Sequence, residues 1–278
     1  MKHAHLILGI IYLSFMAPLQ SSDGELEKFN TYINQSISEA NIAGMAVAIV
    51  SGDSIIFTQG YGYSDIQTKK PFTPNTVINI ASISKTFVGV ALMNLVENGL
   101  ISLDEDVNTF IPFQVLNPHL PESIITLRHL MSHSSGIQDN QKVYLPSYHY
   151  GGDSPMPLGE FLADYLSQDG THYSKKNFTK SKPGEKFVYS NIGAGLAGYI
   201  VERVSGKPLN VFTRDVIFKP LGMNNTCWFL SEMDRSKHTR LYESEKKHTQ
   251  LKKVDLYGLT TYPDGGVRTT VTDLSYYL

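Results

Sequence analysis

The chain has 278 residues, 41% hydrophobic and 18% charged, enough apolar material for one sizeable core and at most a smaller subdomain beside it. A net charge of −2 and a pI near 6.5 give no basis for a nucleic-acid or acidic-membrane partner. The 16 Tyr and 13 Phe argue against disorder, and the single cysteine, Cys227, excludes an internal disulfide and a cysteine-built zinc site.

Lys2 precedes an apolar run from Leu6 to Phe15, followed by small and polar residues at Ala17, Ser21 and Ser22. This is the shape of a secretory signal peptide over residues 1–22, and it predicts export to a periplasm or outside the cell. The alternative is an anchor that is not cleaved; the run is short for a membrane span. Glu25 to Ala40 predicts an amphipathic helix with Leu26, Phe29, Ile33 and Ile37 on one side. Met45–Val50 and Ser54–Gln59 flank Ser51-Gly52-Asp53, a hairpin signal. Ser82 to Asn98 predicts a long helix with Phe87, Val88, Ala91, Leu92, Leu95 and Val96 inward and Gly99 at its end.

Thr126 opens a shorter helix through "LRHLMSH" that Gly136 closes. Pro157–Ser167 reads as helical, and 169–184 as a polar, lysine-bearing loop. Helices over Ile192–Val204 and Leu209–Phe218 follow, the second stopped by Pro220 and Gly222. "YPDGGVRTTVTDL" predicts a turn, a short strand and a helix start at Thr272-Asp273. Hairpin, then helices, then strand suggests a sheet drawing strands from both ends of the chain, with a helical insertion between.

Ser82 and Lys85 stand three apart and so share a helix face. A serine hydroxyl needs a nearby base to attack, and a lysine serves as that base when it is neutral. A helix N-terminus adds free N–H groups for a developing oxyanion. The plain alternative is an N-cap serine followed by a solvated lysine. The Ser82 flanks are apolar, Ala81 and Ile83, and no Glu completes a capping box. Tyr189-Ser190-Asn191 lies between a strand-like run and a helix, where a tyrosine can carry a proton and an asparagine can hold a carbonyl.

With "GYGYSD", "LISLDEDVNTFIP", "LRHLMSHSSGI" and "YPDGGVRTTVTDLSYYL", these residues resemble the serine β-lactamase and penicillin-binding-protein superfamily, class C β-lactamase-like branch. The resemblance covers Glu25 to Leu278 in order. It implies an α/β (α+β) fold over residues 23–278, an antiparallel sheet flanked by helices plus a helical subdomain. It implies a serine hydrolase working through an acyl-enzyme on a small-molecule or peptide amide or ester, with no cofactor, metal or nucleic acid. Ser82 would be the nucleophile, Lys85 its proton relay, Tyr189 the general base, and Asn191 a substrate-binding residue. The Ser82 N–H would give half of the oxyanion hole.

The resemblance also leads one to expect a Lys-Thr-Gly or His-x-Gly motif on a later strand, absent from these residues. One oxyanion donor fewer lowers rates by about 10²–10³. That makes a C-terminally incomplete hydrolase the first reading and a catalytically silent binding or assembly protein of the same fold the second. His149-Tyr150-Gly151 matches the letters but reads as a loop before Tyr189.

Of the other candidates, His129 and His133 have a zinc-like spacing without the Glu of a zincin, which favours structural histidines. Asp104 and Asp106 read as turn and cap residues. Arg268 is expected in the cleft or in a surface pair, and Cys227 as a packed core thiol. Asn34, Asn177 and Asn224 begin glycosylation sequons.

Overall fold

A computed structural model describes residues 23–245 and 250–278. The signal-peptide expectation over residues 1–22 lies outside these. Helix α1 (Asp23–Glu39) leads into strands β1 (Gly44–Ser51), β2 (Ser54–Asp65) and β3 (Lys70–Pro71), which form one antiparallel sheet in that order. The hairpin turn falls where Gly52 supplies a positive φ, and β2 runs six residues past the expected Gln59. β1 and β2 are aligned with Val47 opposite Gln59 and slip at a bulge by Ile49 and Val50.

Strand β4 (Ile78–Asn79) ends in a 3₁₀ turn over Ala81–Ile83, and α2 (Ser84–Glu97) follows. The stripe Phe87, Val88, Ala91, Leu92 and Leu95 is buried, as helical spacing requires. Gly99, at φ +69°, ends the helix in the left-handed conformation. Short helices α3 (Leu127–Met131) and α4 (Gln141–Tyr144) then lead to strand β5 (Tyr148–Tyr150). α5 (Leu158–Leu166) begins after Pro157, which sits at the N-cap rather than in the first turn.

α6 (Asn191–Ser205) packs across α2, α3 and α5. Its small residues permit the close approach: a Cβ on Gly198 would lie 2.4 Å from the Pro263 side chain. The expected helix over Leu209–Phe218 is α7 (Leu209–Thr213) continued by a π turn over Arg214–Phe218. β6 (Leu241–Glu245) and β7 (Gln250–Val254) form a hairpin that the sequence pattern had not suggested. Its residues are largely charged and polar, so neither face shows the alternation that marks a half-buried strand.

β8 (Tyr257–Leu259) pairs with β5, and β9 (Arg268–Thr269) pairs with β4, before α8 (Val271–Tyr277) packs on β1 and β2. The fold is α+β with antiparallel pairing throughout the strands. The expectation of one sheet drawing on both ends of the chain is met only by the small β4–β9 pair, because the three-stranded sheet is built entirely from residues before Phe72. His149-Tyr150 lies in β5, not in a loop. The core gathers Phe87, Leu92, Leu127, Leu162, Ile192 and Ile200 between the helices.

Candidate active site

Ser82 stands in the 3₁₀ turn before α2, not at a helix N-cap. The turn is preceded by Ile80, which makes no side-chain cap, so capping does not consume the Ser82 hydroxyl. Ala81, immediately before it, is held at φ +46°, a conformation that costs a residue with a Cβ. The surroundings enforce this strain. The β4–β9 pairing, the Ile80 N–H bond to Val267 O (3.1 Å) and the Val267 N–H bond to Ser84 Oγ (3.0 Å) clamp the start of α2 to residues 267–269.

One turn on, Lys85 reaches back. Its Nζ lies 3.1 Å from Ser82 Oγ, 2.9 Å from Asn191 Oδ1 and 2.5 Å from the main-chain oxygen of Asp264. It also sits 4.9 Å from the centre of the Tyr189 ring, within cation–π range. This set of partners fits both proton states. An ammonium donates to all three oxygens; an amine donates to Asn191 and Asp264 and accepts the Ser82 proton on its lone pair.

Asn191 is the first residue of α6, and its amide is fixed at both ends. Nδ2 donates to Asp139 Oδ2 (2.8 Å), which leaves Oδ1 turned to Lys85. Asp139 also accepts from the main-chain N–H groups of Asn191 and Ile192, both at 3.1 Å, and from Ser190 Oγ at 3.2 Å. A carboxylate is favoured at a helix N-terminus, where free N–H groups and the helix dipole point.

Tyr189 precedes this cap on an extended segment. The Val188 N–H donates to His133 O (2.7 Å), the Ser190 N–H donates to His133 Nδ1 (3.2 Å), and the Tyr189 and His133 rings lie 4.4 Å apart. Burial, then the nearby Lys85 charge, hold His133 below the ordinary histidine range. That keeps Nδ1 free to accept. The Tyr189 ring is 43% exposed, and among the described residues its hydroxyl bonds neither Ser82 nor Lys85. Ser82, Tyr189, Asn191, Tyr144, Tyr148 and Tyr257 line a cleft of about 130 Å³. A larger cavity of about 580 Å³, near Arg214 and Trp228, shares no lining residue with it, so size alone does not mark the reactive site.

The structure thus brings together all four residues named from sequence, Ser82, Lys85, Tyr189 and Asn191. Sequence reading missed Asp139, Tyr144 and Asp264. None sits at a spacing from Ser82 that a local pattern could reveal; the tertiary fold alone delivers them.

The other candidates are placed as follows. His129 closes a capping box with Thr126, its Nδ1 accepting the Thr126 N–H at 3.1 Å. His133 falls beyond α3 at φ +53°, so the two histidines share no helix face. Among the described residues no group of three or more His, Cys, Asp or Glu is placed to hold a metal ion. Asp106 caps the turn at Val107–Thr109, whereas Asp104 pairs with Arg128 at 2.7 Å. Arg268 is neither in the cleft nor on the surface. It is 1% exposed and donates to the carbonyls of Trp228, Gly266 and Tyr257, stitching β9 to its neighbours. Cys227 is partly buried, and burial pushes its thiol up to about 12. Asn177 is fully buried and donates to Tyr165 O and His172 O, so only Asn34 and Asn224 present exposed sequons.

An antiparallel α+β scaffold with a serine and lysine at the start of its central helix is the arrangement of the β-lactamase/transpeptidase class. The Beta-lactamase family's sequence model matches residues 29–278, and the chain belongs to that family. It is 28% identical to Protein flp of Staphylococcus aureus over 256 residues, 91% of this chain and 48% of that protein. It is 28% identical to Penicillin-binding protein 4* of Bacillus subtilis over 193 residues, 69% of this chain and 39% of that protein. Among solved structures it is similar to the octameric penicillin-binding protein homologue from Pyrococcus abyssi: 31% identity, TM-score 0.77, covering 91% of this chain and 55% of that one. The chain spans about half the length of the curated relatives it matches.

Proposed function

We propose that this chain acts as a serine hydrolase on an amide or ester through an acyl-enzyme. The observation that carries this reading is Lys85, whose Nζ is held at once by Ser82, Asn191 and Asp264. Ser82 Oγ attacks the substrate carbonyl carbon while its proton passes to the Lys85 amine. The Ser82 N–H, at the open start of its turn, faces the developing oxyanion. As the tetrahedral intermediate collapses, the bond to the leaving group breaks and the proton reaches that group through Tyr189. Water then attacks the acyl-enzyme by the same path in reverse. Tyr189 begins with its ring face toward Lys85, so this role requires its hydroxyl to close on the substrate, as apo geometry commonly leaves to the complex.

The substrate class is a small-molecule or peptide amide or ester; the Bacillus relative's name, a penicillin-binding protein, makes a penicillin the natural first probe. The pattern of residues 2–22 supports a place outside the cytoplasm.

The test is labelling with a fluorescent penicillin and a fluorescent phosphonate, followed by intact mass, on the wild-type chain and Ser82→Ala. A stoichiometric adduct that disappears in Ser82→Ala is expected. A folded wild-type protein that takes neither probe overturns the reading.

A further inference from the structure

Asp264, which also lines the cleft beside Ser82 and Tyr144, is 2% exposed. Tyr144 OH donates to its Oδ1 at 3.2 Å and Thr261 Oγ1 to its Oδ2 at 2.5 Å. An isolated buried carboxylate is costly unless donors and a cation compensate it. Both neighbours are hydroxyls that donate to it, the pattern of an ionised carboxylate, which accepts only. The compensating cation is Lys85, which bonds the main-chain oxygen of the same residue. Proline and glycine flank Asp264, and the turn is closed by the Asp264 N–H to Thr261 O (2.9 Å) and the Gly266 N–H to Tyr262 O (2.8 Å).

We propose that the buried Asp264 carboxylate is a positioning residue for Lys85: its charge balances the Lys85 head, and its bonds to Tyr144 and Thr261 fix the turn whose carbonyl meets Nζ. This rests on the reading of Lys85 as the proton relay of Ser82. Burial raises Asp264 to about 7, against the pull of Lys85 and the two hydroxyls. The charged and titratable groups that face it are Lys85 from α2, Tyr144 from α4, Asp139 from the loop before α4, Tyr148 from β5 and Tyr257 from β8. Only Lys85 among them is a cation.

The sign follows. A carboxylate near the lysine favours the ammonium over the amine. Removing the charge makes Lys85 lose its proton at lower pH. The readout is the ¹³Cε NMR titration of Lys85 in protein labelled at lysine, with the resonance assigned by its loss in Lys85→Arg. In Asp264→Asn the midpoint is expected to fall by about one pH unit or more, the scale of a single nearby opposite charge. Thr261→Val keeps the carboxylate but removes one donor to its charged form. It is expected to move Lys85 the same way by less, and it carries the test if Asp264→Asn does not fold.

An unchanged midpoint in the folded variants overturns the proposal, and so does an upward shift. The readout needs no turnover. A shifted lysine with no Ser82 adduct would sink the hydrolase reading and leave this one standing; an adduct with an unmoved lysine would do the opposite.

Discussion

Around α2 and α6, Phe87, Leu92, Ile192 and Ile200 have no exposed surface at all, and Phe87 is wedged edge-on against Phe218 and tilted onto Tyr277. In the β1–β2 hairpin no residue of β1 is fully buried, and Ile49, Ile56 and Tyr63 stay exposed on the sheet. The side chains around Ser82 hang from α2 and its leading turn, the α6 cap, α4, β5, β8 and the turn at Asp264. None comes from β1, β2 or β3. A site that needs an amine within hydrogen-bond reach of three oxygens is built where packing leaves side chains one position, because interiors close-packed to crystal density do not drift. The hairpin side is a cover rather than a frame.

The largest test of that contrast is truncation. Phe87→Ala, at 0% exposure, is expected to cost about 3–5 kcal/mol in chemical denaturation, the loss of transfer energy plus a cavity. Ile56→Ala, at 49% exposure, should cost well under about 1 kcal/mol. Comparable costs at the two positions would erase the distinction between frame and cover.

Next comes the strain held inside the frame itself. Asp264 has its folded-state pKa raised to about 7, above the ordinary carboxylate value. The folded protein therefore binds the extra proton between about pH 4 and pH 7, and stability falls as pH rises through that window. Asp264→Asn removes this pH dependence, so whatever its absolute stability, the variant should gain on the wild type as pH rises from 4 to 8. Denaturant melts of the two proteins at pH 4 and pH 8 measure it; a gap that does not depend on pH would show that the carboxylate carries no such strain.

Third is the contact between α6 and the turn. Gly198→Ala would place a Cβ 2.4 Å from Pro263, so either α6 or the turn must shift. Overpacking of this kind costs about 1–3 kcal/mol. Because Asp264 follows Pro263, Ser82 labelling should fall further than stability does. Full labelling rates in a destabilised Gly198→Ala would mean the turn is not coupled to Lys85.

The same division explains what could be read from sequence. α2 was legible because Phe87, Val88, Ala91, Leu92 and Leu95 repeat at helical spacing against a single core. Ser82 and Lys85 could be paired from sequence because three residues, here a 3₁₀ turn running into α2, bring Nζ back to 3.1 Å from Oγ. Residues whose role depends on distant chain were not. Asp139 acts as a cap only because α6 arrives beside it, and Arg268 looked like a cleft or surface residue because nothing local announces carbonyls at Trp228, Gly266 and Tyr257. The β6–β7 hairpin escaped for the opposite reason: it buries too little to leave an alternating pattern.

The smallest effects lie where the hairpin is fastened to the rest. Ser64 O, in β2, accepts from Arg240 N at 2.8 Å and from Thr239 Oγ1 at 3.0 Å, and the Arg240 side chain also approaches Asp65 at 3.4 Å. The threonine is buried, whereas the Arg240 side chain of the ion pair is 49% exposed and its 3.4 Å contact is long. Thr239→Val leaves a buried carbonyl with one donor fewer and should cost about 1 kcal/mol. Arg240→Ala keeps the main-chain bond, loses only a screened pair, and should leave the denaturation midpoint unmoved at moderate salt. The cover is thus held by directional backbone bonds and not by charge. If Arg240→Ala proved as costly as Thr239→Val, and the cost faded with added salt, the fastening would be electrostatic and the hairpin's attachment would have to depend on ionic strength.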